Sequence, residues 1–132
     1  PFTVADSIIE ELKKITPIVI VDFHAEATSE KIAFGRYVEG RVSAVLGTHT
    51  HVQTADESIL PGGTAYITDV GMTGGHDSII GMQLESVLQR YLIQIPSRFK
   101  PSFTDARISY VILDIDSKTG VSKSITRGQA FS

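Results

Sequence analysis

Residues 18–24 read Ile18-Val19-Ile20-Val21-Asp22-Phe23-His24. Four consecutive β-branched residues are stiff at χ1 and favour extended backbone, so the run predicts a strand covered on both faces. Asp22, Phe23 and His24 then fall at its C-terminal end. Upstream, residues 3–15 (TVADSIIEELKKI) space Val4, Ile8, Ile9, Leu12 and Ile15 as a helix, with acidic residues early and lysines late, the order a helix dipole favours. Thr16-Pro17 stops that helix. Downstream, Thr28 or Ser29 caps a second helix with Glu30 in its first turn, an inner face of Ile32, Ala33, Tyr37 and Val38, and Gly40 as its stop.

A second strand, Ala44-Val45-Leu46, runs into Gly47-Thr48-His49-Thr50-His51, and Pro61-Gly62-Gly63 turns the chain into a third at residues 64–68. Residues 70–81 hold glycines at 71, 74, 75 and 81 and predict a loop. Residues 83–93 predict a helix stopped by Pro96, and residues 107–116 (RISYVILDID) predict a strand that turns at 117–120 into another at 121–126. This order predicts an α/β or α+β layered domain.

The 132 residues, 42% hydrophobic and 20% charged, suffice for one domain with one core. A net charge of −3 provides no broad field for a polyanion, and the aromatics are not interleaved with basic residues. Bulk nucleic-acid binding and an RNA-stacking platform are therefore disfavoured. No stretch reaches the roughly 18 apolar residues of a membrane span and no signal peptide is visible, so a cytoplasmic protein is expected. Zero cysteines leave metal binding to His, Asp, Glu or Asn. The start at Pro1, without a Met and directly before a helical pattern, suggests that sequence precedes it.

Three of the four histidines lie in two strand-end segments. On extended backbone, residues two apart face the same way, so His49 and His51 are expected to present both imidazoles to one face, with His24 beside them. Neutral imidazoles there suit Zn, Fe, Mn or Ni. Gly47 would allow a tight turn, and Thr48 and Thr50 would face the other way and pack. Asp22 and Glu26 could orient imidazole N–H groups; alternatively, Asp22 ends the strand and Glu26 caps the helix. His76 reads as a loop residue, Asp69 and Asp77 as local Asx turns, and Arg36, Arg41, Arg90, Arg98 and Arg107 form no cluster in sequence.

The segments DFHAEATSEK (22–31), VLGTHTHVQTADE (45–57) and TDVGMTGGHDSIIGM (68–82) resemble the C-terminal half of the bacterial calcineurin-like metallophosphoesterases, and among them the YmdB-like group associated with 2′,3′-cyclic nucleotide phosphodiesterase activity. The resemblance implies the C-terminal part of a four-layer α/β sandwich, with residues 1–132 forming a single partial domain. It implies two divalent transition-metal ions, Fe or Mn with Zn as a further option. His49 would ligate one ion, His24 would share it, and His51 would ligate the other. The implied chemistry is in-line attack on a small phosphodiester or cyclic nucleotide by a hydroxide held between the ions. In that family the remaining ligands (an Asp, a bridging carboxylate and an Asn) and the proton-donating His belong to the first half. No G-D or G-N-H segment is present here, so no catalytic residue is identified in this chain.

The chain alone is accordingly expected to hold at most one ion and to be inactive, with the N-terminal half or a homo-oligomer as partner. The surface left by that half should be apolar and exposed. The alternative is a noncatalytic fragment with a structural or interaction role.

Overall fold

The computed structural model describes residues 1–94, 96 and 98–131. In chain order the elements are α1 (Phe2–Lys13), β1 (Ile20–His24), α2 (Thr28–Val38), β2 (Ala44–Thr48), β3 (Ser58–Ile59), β4 (Ala65–Ile67), β5 (Thr73–Gly75), α3 (Leu84–Ile93), β6 (Ala106–Ile115) and β7 (Ser122–Phe131). They form two sheets: β1-β2-β4-β3, in which β1, β2 and β4 are parallel, and the antiparallel β5-β6-β7. The α/β class expected from the sequence is therefore the one found. Among the described residues no helix is long and apolar enough to cross a membrane.

The core lies between the first sheet and the two helices on one of its faces. Ile9 of α1 and Phe34 and Val38 of α2 meet Val45 of β2 and Tyr66 of β4, with Phe2, Val21 and Phe23 partly buried against them. Phe23 and Phe34 stack with centroids 4.1 Å apart and planes 7° apart. Each fully buried side chain of this size contributes about 1.5–3 kcal/mol. Behind the sheet β7 runs beside β3 and β4, and the Ser122 hydroxyl donates to the Ser43 carbonyl at 2.6 Å.

Several expectations are corrected. Among the described residues β1 is an edge strand, hydrogen-bonded only to β2, so its sides alternate: Val21 and Phe23 face the core while Ile20 is 51% exposed. Of the apolar stripe on α1 only Ile9 is buried; Val4, Ile8, Leu12 and Ile15 are exposed. On α2 the buried face is Lys31, Phe34, Gly35 and Val38, while Ile32, Ala33 and Tyr37 point outward. Gly35 sets that face, because a Cβ there would come 2.7 Å from the Tyr66 ring, so the helix meets the sheet at its glycine. Helix α2 is capped by neither Thr28 nor Ser29; its N-cap residue is Ala27, with no side-chain cap bond. Residues 73–75, inside the predicted loop, form β5, and β3 had no sequence signal. Helix α3 stops at Gln94, left-handed at φ 54°, ahead of Pro96.

Gly47 lies within β2, so its role is close approach and not turning. A methyl group there would lie 1.8 Å from the Thr68 carbonyl oxygen and 3.1 Å from Cδ of Lys31. Thr68 cannot readily retreat, because the Asp56 carboxylate accepts both its N–H and its hydroxyl. Gly47→Ala is therefore expected to destabilise by about 3 kcal/mol or more, at or beyond the top of the usual overpacking range. The check is a lowered urea midpoint with an unchanged slope.

The β6–β7 turn carries a second test. The Asp116 carboxylate accepts the backbone N–H groups of Thr119 and Lys118, each at 3.0 Å, which pull its pKa from 3.8 down to about 2. For a depressed carboxylate the stabilising contribution is full above the ordinary value and fades as pH falls through the folded one. An NMR titration should place the Asp116 midpoint near about 2; a midpoint at the ordinary value would mean that the turn does not grip the carboxylate.

Candidate metal centre

β1 and β2 are parallel neighbours in register, with His24 opposite Thr48, so both strands end at the same level. That shared C-terminal edge is where sites assemble in open α/β sheets. It brings His24 Nε2 to 3.3 Å from His49 Nδ1, with the rings edge to face at 76°. The Thr48 hydroxyl donates to Asp22 Oδ1 at 2.9 Å, because a carboxylate can only accept. Its oxygen is then the acceptor for His24 Nδ1–H at 3.0 Å, which leaves the lone pair on Nε2 facing His49. Asp22 thus orients His24 through Thr48, and Thr48, expected only to pack, is the link. Glu26 makes no side-chain hydrogen bond to a described residue and does not cap α2.

The pair fits two ligands of one ion. Metal–nitrogen bonds of about 2.0–2.1 Å, applied to the 3.3 Å separation, give an angle of about 104–111°, close to tetrahedral. His51 does not converge on them. Its Nδ1 donates to the Ile80 carbonyl at 2.9 Å, which fixes the tautomer and leaves Nε2 free, the arrangement usual for a ligating histidine. Among the described residues no group of three or more His, Cys, Asp or Glu is placed to hold a metal ion.

The expectation that His49 and His51 share one face of extended backbone fails. β2 ends at Thr48, and His49 and His51 have φ of 134° and 65°. Such conformations cost non-glycine residues on the order of 1–3 kcal/mol each, so the surroundings must hold them. The residue between them is held by Asp69, which has no exposed surface. Asp69 Oδ2 accepts the Thr50 N–H at 2.8 Å and the Lys31 ammonium at 3.1 Å, while Oδ1 accepts the Gly71 N–H at 2.9 Å. The Thr50 side chain stays local, its hydroxyl donating to the Val52 carbonyl at 3.1 Å. Burial acts to raise the Asp69 pKa, but the two backbone N–H groups and Lys31 outweigh it and hold the carboxyl below 3.8. The local Asx bond expected of Asp69 is present, to Gly71.

Lys31 was missed because charge hid it. Its spacing with Phe34, Gly35 and Val38 is that of a buried helix stripe, and that periodicity was the available signal. Two clefts meet at His51. One of ≈ 470 Å³ is mixed in polarity, lined among others by Gln53, Met72, His76, Ser78 and Arg127. The other, of ≈ 680 Å³, is mainly apolar, with Ile80, Met82, Tyr91 and Phe99 in its wall. Neither reaches His24 or His49. His76 therefore borders a cleft, its Nδ1 donating to the Gly74 carbonyl at 3.0 Å, but stands apart from the histidine pair. Arg36, Arg41, Arg107 and Arg127 pair with Glu39, Asp6, Asp105 and Glu57 respectively and form no phosphate clamp.

The sequence pattern of the YmdB-like protein family matches residues 1–127. A 2′,3′-cyclic-nucleotide 2′-phosphodiesterase of Bacillus subtilis (strain 168) is 54% identical over 127 residues, covering 96% of this chain and 48% of that protein. The crystal structure of a hypothetical protein from Thermus thermophilus superposes with a TM-score of 0.91 at 44% identity, over 99% of this chain and 50% of that one. A phosphatase from Mycoplasma pneumoniae does so with a TM-score of 0.90 at 39% identity, over 99% and 46%. The fold is thus that of a metallophosphoesterase, and the chain spans about half the length of the relatives it matches. With its three histidine-bearing segments inside the matched residues, the chain belongs to the YmdB-like family.

Proposed function

We propose that this chain supplies the histidine side of a metal-dependent phosphodiesterase acting on small phosphodiesters, with 2′,3′-cyclic nucleotides as the leading substrate class. The observation that carries the reading is the approach of His24 Nε2 and His49 Nδ1 to 3.3 Å, with the His24 tautomer fixed through Thr48 and Asp22. The name of the Bacillus relative supports the substrate class. His24 and His49 would hold one divalent ion and His51, through its free Nε2, a second; Fe and Mn suit imidazole donors, as does Zn. When bound, such a pair activates water and neutralises phosphoryl oxygens.

The chain's own groups do the orienting. Asp22 and Thr48 set the His24 tautomer, Ile80 sets that of His51, and the clefts on either side of His51 give room for the rest of the substrate. The apolar cleft, with Tyr91 and Phe99, suits the flat face of a base.

These donors are neutral. Two divalent cations about 3.5–4 Å apart repel each other, and bridging carboxylate charge is what normally makes the pair tolerable. Among the described residues no such carboxylate joins the histidines, which favours the reading that this chain by itself binds one ion at most and is inactive. Further ligands would come from polypeptide beyond these residues, either the other half of the relatives' length or another chain. The free edge of β1, and exposed apolar side chains such as Ile15 at 82% and Val4 at 59%, suit packing against such polypeptide.

Elemental analysis tests this directly. The 132-residue chain should carry one Mn or Fe or none and leave 2′,3′-cyclic AMP intact, while a polypeptide of the relatives' full length should carry two and hydrolyse it. Two ions in the short chain would overturn the division. In the long form His49→Ala should lower kcat/KM by about a thousandfold, the worth of several kcal/mol of lost charge stabilisation; full activity would exclude His49 as a ligand. Thr48→Val should weaken metal binding by about 10–100-fold and Thr48→Ser should restore it, as read by metal titration.

A further inference from the structure

We infer that the buried Lys31–Asp69 pair is a positioning device for the histidine loop: it grips the backbone between His49 and His51 and so sets the direction of both imidazoles. The inference rests on the reading of those histidines as ligands. Thr50 is the only residue between them, and its N–H is received by Asp69 Oδ2 at 2.8 Å. The same carboxylate receives Gly71 N–H at 2.9 Å and so ties the loop to the segment after β4. Lys31 reaches it from α2, its stem passing β2 where Gly47 lacks a side chain.

The arrangement has a physical logic. Two N–H groups converging on one buried side chain need an acceptor with lone pairs in two directions, which a carboxylate supplies. A buried carboxylate in turn needs a counter-charge, and at 1% side-chain exposure Lys31 has no other role in solvent. A buried ion pair is a poor source of stability compared with apolar packing, so its contribution here is geometry. Neither residue would touch substrate.

The test separates geometry from folding. In the full-length, metal-free protein the Thr50 amide should be strongly protected from hydrogen exchange; an unprotected Thr50 amide would overturn the inference outright. The double variant Lys31→Met/Asp69→Leu removes both charges at similar volume and should fold. It should nevertheless speed Thr50 exchange by about tenfold or more relative to amides in β6 and shift the ring ¹⁵N resonances of His49 and His51. Lys31→Met/Asp69→Asn restores one acceptor without charge and should recover most of the protection. Mn titration should show a loss of about 10–100-fold for the first variant and recovery for the second. Unchanged exchange and unchanged ring resonances in the folded Leu variant would show that the pair is merely structural. A loosened loop with unchanged Mn affinity would instead overturn the assignment of His49 and His51 as ligands.

Discussion

Between β2 and Thr68 there is no room for a single methyl group, and the arrangement of the strand ends depends on that closeness. A Cβ on Gly47 would meet the Thr68 carbonyl oxygen at 1.8 Å and crowd the stem of Lys31. Without it, β4 lies flush against β2, the next residue, Asp69, falls below the loop that leaves β2, and Lys31 reaches that carboxylate from α2. Each later step depends on the one before. From this distance Asp69 receives the N–H of Thr50, which lies between the left-handed residues His49 and His51.

The elements were largely legible, because helical and β-branched periodicity is local. α1, α2, α3 and β6 lie within two residues of where the pattern puts them, and β7 starts where expected but runs five residues further, to Phe131. Which face is buried was less legible. On α2 the stripe was displaced because a lysine begins it, and no local rule predicts that a partner 38 residues away will neutralise it. β1 looked covered because its residues are β-branched, yet coverage depends on neighbours and it has one. At the site, histidine type and strand-end position marked His24, His49 and His51. The turned backbone between the last two, and the role of Thr48, come from contacts that span 19 to 29 residues and leave no trace in spacing.

The centre also shows a division between direction and charge. The groups that aim the imidazoles are carboxylates and a carbonyl: Asp22 acts through Thr48 and Asp69 through the backbone, while the Ile80 carbonyl holds His51 directly. The imidazoles themselves are exposed. Aiming the imidazoles in this way, with Asp69 paired to Lys31, keeps buried charge compensated in this part of the molecule.

The two sheets differ in how far apart in the chain their partners lie. β6 and β7 are joined over residues 116–121 and can zip on a timescale of about 1–10 μs. β1, β2 and β4 pair in parallel and must wait for α2 and the long loop to be drawn in, a slower search with a larger entropy of closure. Asp69 comes into place only when β4 docks. The segment that carries His49 and His51 is therefore tied, through Asp69, to the non-local pairings of the molecule and not to its local hairpin.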